Sequence, residues 1–71
     1  MNITFDSQAD ALYIQFQKGV VKETIKIRDG LLVDIDKSGR IFGIEILDAS
    51  HRIPKKTLGK VNINFPVKTA V

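Results

Sequence analysis

Ile25-Lys26-Ile27-Arg28-Asp29-Gly30, continued by LLVDIDKSGRIFGIEIL to Leu47, is the stretch that decides the fold. Three short runs of β-branched and aliphatic residues are separated by two tight turn signals, Asp29-Gly30 and Lys37-Ser38-Gly39. Alternation at period two between such turns predicts an antiparallel meander at the centre of one small sheet. A two-residue Asp29-Gly30 hairpin, with positive φ at both central residues, pairs Arg28 with Leu31 and Ile27 with Leu32. A three-residue loop with Gly39 left-handed pairs Asp36 with Arg40 and Leu32 with Ile44.

Working outward, Asn2 to Phe5 alternates as a first strand, and Asp6 can accept backbone N–H bonds in the polar turn that follows. Ala11 to Gln17 reads as a second strand with Leu12, Ile14 and Phe16 on one face, and Val20 to Arg28 as a third. The registers gather Leu12, Ile14, Phe16, Ile25, Ile27, Leu32, Phe42, Ile44 and Ile46 on an expected core face. The opposite face receives Tyr13, Thr24, Lys26, Arg28, Glu45 and five apolar residues, Leu31, Val33, Ile35, Ile41 and Leu47. A contiguous apolar patch of that size marks an interface, so these five are the expected contacts of a homodimer or larger assembly. Beyond Leu47, residues 48–58 suggest one or two helical turns around Pro54, ending at Gly59. Val61 to Phe65 alternates as a last strand, with Pro66 at an edge.

The fold class expected is therefore mainly β: a single antiparallel sheet of five or six strands with short helical turns, an α+β arrangement being the alternative. A chain of 71 residues has room for one domain and buries only roughly 60% of the surface its unfolded form exposes. It contains no cysteine, which excludes disulfides, thiolate metal sites and a cysteine nucleophile. No basic-then-apolar leader and no apolar run of about 20 residues is present, so a cytoplasmic location away from membranes is expected. The net charge of +3 is uneven: all eight acids lie in residues 1–48, whereas residues 49–71 carry only cations. That basic segment, with Arg52, Lys55, Lys56 and Lys60, raises a weak nucleic-acid-binding module as the second function class.

Phe5-Asp6, Ala9-Asp10-Ala11-Leu12-Tyr13-Ile14, Val33-Asp34, Asp36, Gly39, Gly43-Ile44-Glu45-Ile46-Leu47 and Ala49-Ser50 resemble the prokaryotic family catalogued as domain of unknown function 2283. The resemblance runs from about Asn2 to Ile53, with Phe5 where the family more often has tyrosine; residues 54–71 form a basic extension outside it. It implies the sheet and no activity. Neighbourhood with small toxin-like proteins is also implied, hence a binding role and regulation of such a partner.

Asp34, Asp36, Ser38, Gly39 and Glu45 fit the spacing of an EF-hand calcium loop. The flanks alternate as strands, however, and the expected register points Asp34 and Asp36 to one face and Glu45 to the other, with Arg40 pairing Asp36. A calcium site is rejected on that ground. Asp34 is expected on the core face between Ile25 and Phe42, where a carboxylate needs donors. Glu45 falls in a row with Arg28 and Leu31, as a surface or interface charge. His51 lacks a partner at a recognisable spacing and reads as a solvated turn residue. Of the aromatic residues only Tyr13 is left free for base stacking. The expectation is a non-enzymatic protein–protein interaction domain without cofactor.

Overall fold

Five strands form a single antiparallel sheet: β1 (Asn2–Asp6), β2 (Ala11–Gln15), β3 (Glu23–Arg28), β4 (Leu31–Ile35) and β5 (Ile41–Ile46). Two one-turn helices follow, α1 (Ala49–Arg52) and α2 (Lys55–Leu58). The structure is a computed structural model and describes residues 1–64. The expected last strand is not formed at 61–64, while Phe65 and Pro66 lie outside the described residues. No helix among the described residues is long and apolar enough to cross a membrane.

The strand order is β1-β2-β5-β4-β3. The meander expected at the centre is β3-β4-β5, and β5 then inserts beside β2. Residues 16–22 must therefore cross the ends of β5 and β4 to reach β3. Phe16 donates its N–H to the Phe42 carbonyl at 2.8 Å, and Lys22 donates to the Ile35 carbonyl at 2.8 Å. Strands β2 and β3 are shorter than their apolar runs because this crossing consumes Phe16 and Val20 to Lys22.

Two register shifts overturn the expected faces. Arg28 does pair with Leu31, but Lys26 rather than Ile27 pairs with Leu32, so Ile27 is an extra residue on β3. Gly30 takes φ 77, whereas Asp29 is not among the residues of positive φ, so the turn is not of the mirror-image kind. A turn of unprimed type splays its strands, and a bulge restores the fit. A second shift falls on β5: Asp34 pairs with Gly43 and Ile35 with Ile41, which leaves Phe42 as the extra residue. Leu32 consequently faces Glu45, and Val33 faces Ile44.

Because directly opposed residues share a face, a slip of one residue exchanges the faces. One face now carries the rows Phe5–Leu12–Ile46–Leu31 and Ile3–Ile14–Ile44–Val33–Ile25. Leu31 and Val33 thus join the residues expected to form the core, and Ile35 with its partner Ile41 continues that side beyond the bulge. Leu47 lies past the end of β5, its N–H bonded to the Gly30 carbonyl. The five residues expected as an interface are thus not gathered on the far face. The other face is polar, with the rows Tyr13–Glu45–Leu32–Lys26 and Gln15–Gly43–Asp34–Thr24.

The apolar face is thinly covered. Among the described residues Phe42 and Ala49 are the buried apolar side chains, and none of the large ones is fully buried. Ile53, Leu58 and Val61 approach the β1–β2 side beside Ile3, Leu12 and Ile14. The two edges differ. β3 carries the Ile27 bulge and Lys26, whereas β1 (NITFD) pairs regularly along its whole length and has no lysine, proline or bulge.

Candidate functional site

Tyr13 projects from β2 onto the polar face and reaches across β5. Its hydroxyl donates to Asp34 Oδ2 at 2.7 Å, and Thr24 Oγ1 of β3 donates to Asp34 Oδ1 at 2.5 Å. One carboxylate so links β2, β4 and β3 over the top of β5. Gly43 of β5, buried beneath the phenol ring, makes this possible. A Cβ there would stand 2.6 Å from Tyr13 Cζ and 2.8 Å from the Ile14 carbonyl oxygen.

Burial pushes the Tyr13 phenol up to about 12, helped by its bond to Asp34 and by the charges of Asp34 and Glu45. The folded state favours the neutral phenol, so its contribution to stability is intact below the ordinary value of 10.0 and is lost as pH rises towards 12. The chain has one tyrosine and no tryptophan, so a phenolate absorbance titration reads this group alone. We expect a midpoint near 12 in the native protein, moving back towards 10.0 in Asp34→Ala. An unshifted native midpoint would contradict the bridge.

The expected placements of the acids change accordingly. Asp34 is not on the core face between Ile25 and Phe42; the register slip puts it opposite Thr24 and Gly43, with the donors a carboxylate needs. Glu45 shares that face with Asp34, in the row of Tyr13, Leu32 and Lys26 instead of Arg28 and Leu31. Asp36 closes the β4–β5 loop: its Oδ1 accepts N–H bonds from Ser38 at 2.8 Å and Arg40 at 2.9 Å, with the Arg40 Nε 3.5 Å from Oδ2. The Arg40 and Ser38 donors hold its carboxyl below the ordinary value against the opposing effect of burial. The calcium-like spacing is thus the spacing of a hairpin.

A second constellation joins the two ends of the chain. Asp10, left-handed at φ 52, accepts from Ser50 N at 3.0 Å and Ser50 Oγ at 2.7 Å, while its own carbonyl accepts from Ala49 N at 2.9 Å. His51 is not partnerless: its Nδ1 lies 3.6 Å from Asp10 Oδ2 and 3.4 Å from Ser50 Oγ. Asp10, Asp48 and His51 bring potential ligand atoms within 4.8 Å of one another. Both Asp10 oxygens already serve Ser50, whose hydroxyl proton points to Asp10; the arrangement works as a clamp that seats α1 on the β1–β2 turn. The turn itself is held by Asp6, which accepts from Gln8 N and Ala9 N at 3.0 and 3.1 Å.

Arg52, expected as a nucleic-acid contact, donates to the Asp29 carbonyl and lies against Gly30, tying α1 to the β3–β4 turn. Lys55 and Lys56 are exposed on α2, and Lys60 follows it. Sequence reading missed the Tyr13–Asp34 and Asp10–Ser50 pairs, although all four residues stand in the blocks that carry the family resemblance.

A family model described as "Protein of unknown function (DUF2283)" matches residues 2–50. The chain belongs to this family. The matched span of the DUF2283 chain includes the Tyr13–Asp34 and Asp10–Ser50 pairs and stops at Ser50, so His51, Arg52, α2 and the basic residues after it lie outside it. No curated protein and no solved structure matches the DUF2283 chain.

Proposed function

We propose that this chain is a non-enzymatic interaction domain that pairs with a second copy of itself through the apolar face of its sheet. The observation that carries the reading is one layer that the described residues cover only thinly. Ile3, Phe5 and Ile25 are 37%, 45% and 41% exposed on a face whose remaining rows are aliphatic. Apolar surface of this continuity is ordinarily covered in a soluble protein. Two such sheets stacked about 10 Å apart bury both inner faces, which the described residues of one chain do not do alone.

The face suits a two-fold partner. Its middle is uncharged, and on edge strand β3 Glu23 and Arg28 sit at opposite ends, opposite Ile35 and Leu31. A two-fold axis lying between the sheets and perpendicular to the strands sets Glu23 of one copy towards Arg28 of the other, at both ends. Sedimentation should give a dimer of the 7.9 kDa chain at tens of micromolar. Ile25→Lys, on an exposed edge strand, should give a folded monomer with unchanged far-ultraviolet dichroism. A native monomer would overturn self-association, and one that captures a small partner protein on this face would favour regulation of such a partner. Salt-sensitive RNA binding lost with Lys55, Lys56 and Lys60 would favour the nucleic-acid alternative.

A further inference from the structure

We propose that the end of the sheet opposite α1 holds a binding site for a small ligand bearing two or more adjacent phosphate groups. A cleft of about 530 Å³ opens there between the β2–β3 connection and the β4–β5 loop. Its volume lies within the ~300–1,000 Å³ of small-ligand sites. Lys18, Lys22, Lys37 and Arg40 line it together with Ser38.

The clustering follows from topology. Because β5 occupies the place beside β2, the connection is forced past the β4–β5 loop, and the Lys22–Ile35 hydrogen bond fixes it there. Residues 1–48 contain six cations and eight acids, yet four of those cations and only one of the acids, Asp36, line this cleft. Asp36 is already engaged by Arg40 and by two loop N–H groups. Among the described residues no carboxylate lies within ion-pair distance of Lys18, Lys22 or Lys37. Three lysines held together without a counter-charge repel one another, and a compact polyanion relieves that repulsion while gaining the field focused by a concave wall. A nucleic-acid strand would need a track of cations leading out of the cleft; these converge on one hollow.

Titration of the full chain with inorganic pyrophosphate, followed by amide resonances, tests the site. We expect saturable shifts centred on Lys18 to Lys22 and Lys37 to Arg40, with affinity that falls as salt is raised. Lys18→Ala and Lys37→Ala should each weaken binding by at least about fivefold, the scale of one close charge pair in water. Lys55→Ala with Lys56→Ala should leave it unchanged, and all variants should keep the native melting temperature. Shifts centred on α2, no saturable binding, or native affinity in the two cleft variants would overturn the proposal. So would tighter binding of a single-stranded oligonucleotide than of pyrophosphate at the same residues. The outcome is independent of self-association, since the cleft lies on two loops beyond the stacked face.

Discussion

Gly43→Ala should destabilise the fold by about 3 kcal/mol, the upper part of the range for forcing a methyl into a packed site. The added carbon would overlap the Tyr13 phenol and would also stand 2.8 Å from the Ile14 carbonyl oxygen. The side chain can swing away, but only by giving up its bond to Asp34. The carbonyl belongs to the β2–β5 pairing and has nowhere to go without opening the ladder. For a domain of this size each kcal/mol moves the melting temperature by roughly 4–8 °C, so a fall well beyond 10 °C is expected. Combining the change with Tyr13→Ala separates the two clashes: the cost should persist in large part, because the backbone overlap remains. A Gly43→Ala protein that melts within a degree or two of the native one would show that β5 need not lie so close under the ring.

Asp10→Ala should release the C-terminal quarter of the described chain. The carboxylate is the acceptor for two donors of Ser50, and alanine also fits poorly at φ 52, where asparagine is tolerated. With α1 unclamped, Arg52 leaves the Asp29–Gly30 turn, and Ile53 and Leu58 lose their seat beside Leu12 and Ile14. Amide exchange should rise steeply through residues 49–60 while β3-β4-β5 stay protected, and melting should fall by several degrees. Asp10→Asn should recover part of the loss. The pH dependence has a definite sign. The Ser50 hydroxyl, assisted by the Ser50 N–H and His51, holds the Asp10 carboxyl below its ordinary 3.8 despite some burial. A depressed folded value stabilises above the unfolded value and is lost as pH falls through the folded one. The native protein should therefore lose stability below about pH 4 more steeply than Asp10→Ala. Uniform exchange in the variant, or an identical acid limb, would dissolve the clamp.

Much of the sheet was legible, and for a simple reason. Alternation at period two survives any error of register, so Ile3, Leu12, Ile25, Leu32 and Ile44 each announce a strand whichever way they point. Helical turns were equally visible from Pro54 and Gly59. The faces were not, because each of two bulges inserts a single residue, and neither Ile27 nor Phe42 differs in composition from its neighbours. The Asp29-Gly30 pair misled most: it reads as the tightest hairpin, yet only the glycine takes the left-handed conformation, and the mismatch is absorbed two residues upstream, at Ile27. With the Phe42 bulge on β5 it moved Leu31 and Val33 across the sheet, and the Phe42 shift is what separated Asp34 from Tyr13 on paper.

The polar constellations were half legible. Asp34 could be recognised as a carboxylate in need of donors, but Tyr13 and Thr24 become its donors only in the true register. Asp10 and Ser50 are 40 residues apart, and nothing local to either announces the other. The cationic cleft was hidden for a third reason. Lys18 and Lys37 meet only because β5 displaces β3 from the side of β2, a choice made by long-range pairing and not by any short motif.

The unlike rims of the sheet limit how far it can propagate. A fibre built by adding strands needs two receptive borders, so that the trailing edge of one molecule can accept the leading edge of the next. Here, among the described residues, β1 offers a smooth row of backbone groups without a strand partner, while the kink and lysine on β3 spoil the opposite border. Any strand addition would then have to join rim to identical rim and would end at two molecules, so one extra isoleucine on β3 works against runaway polymerisation.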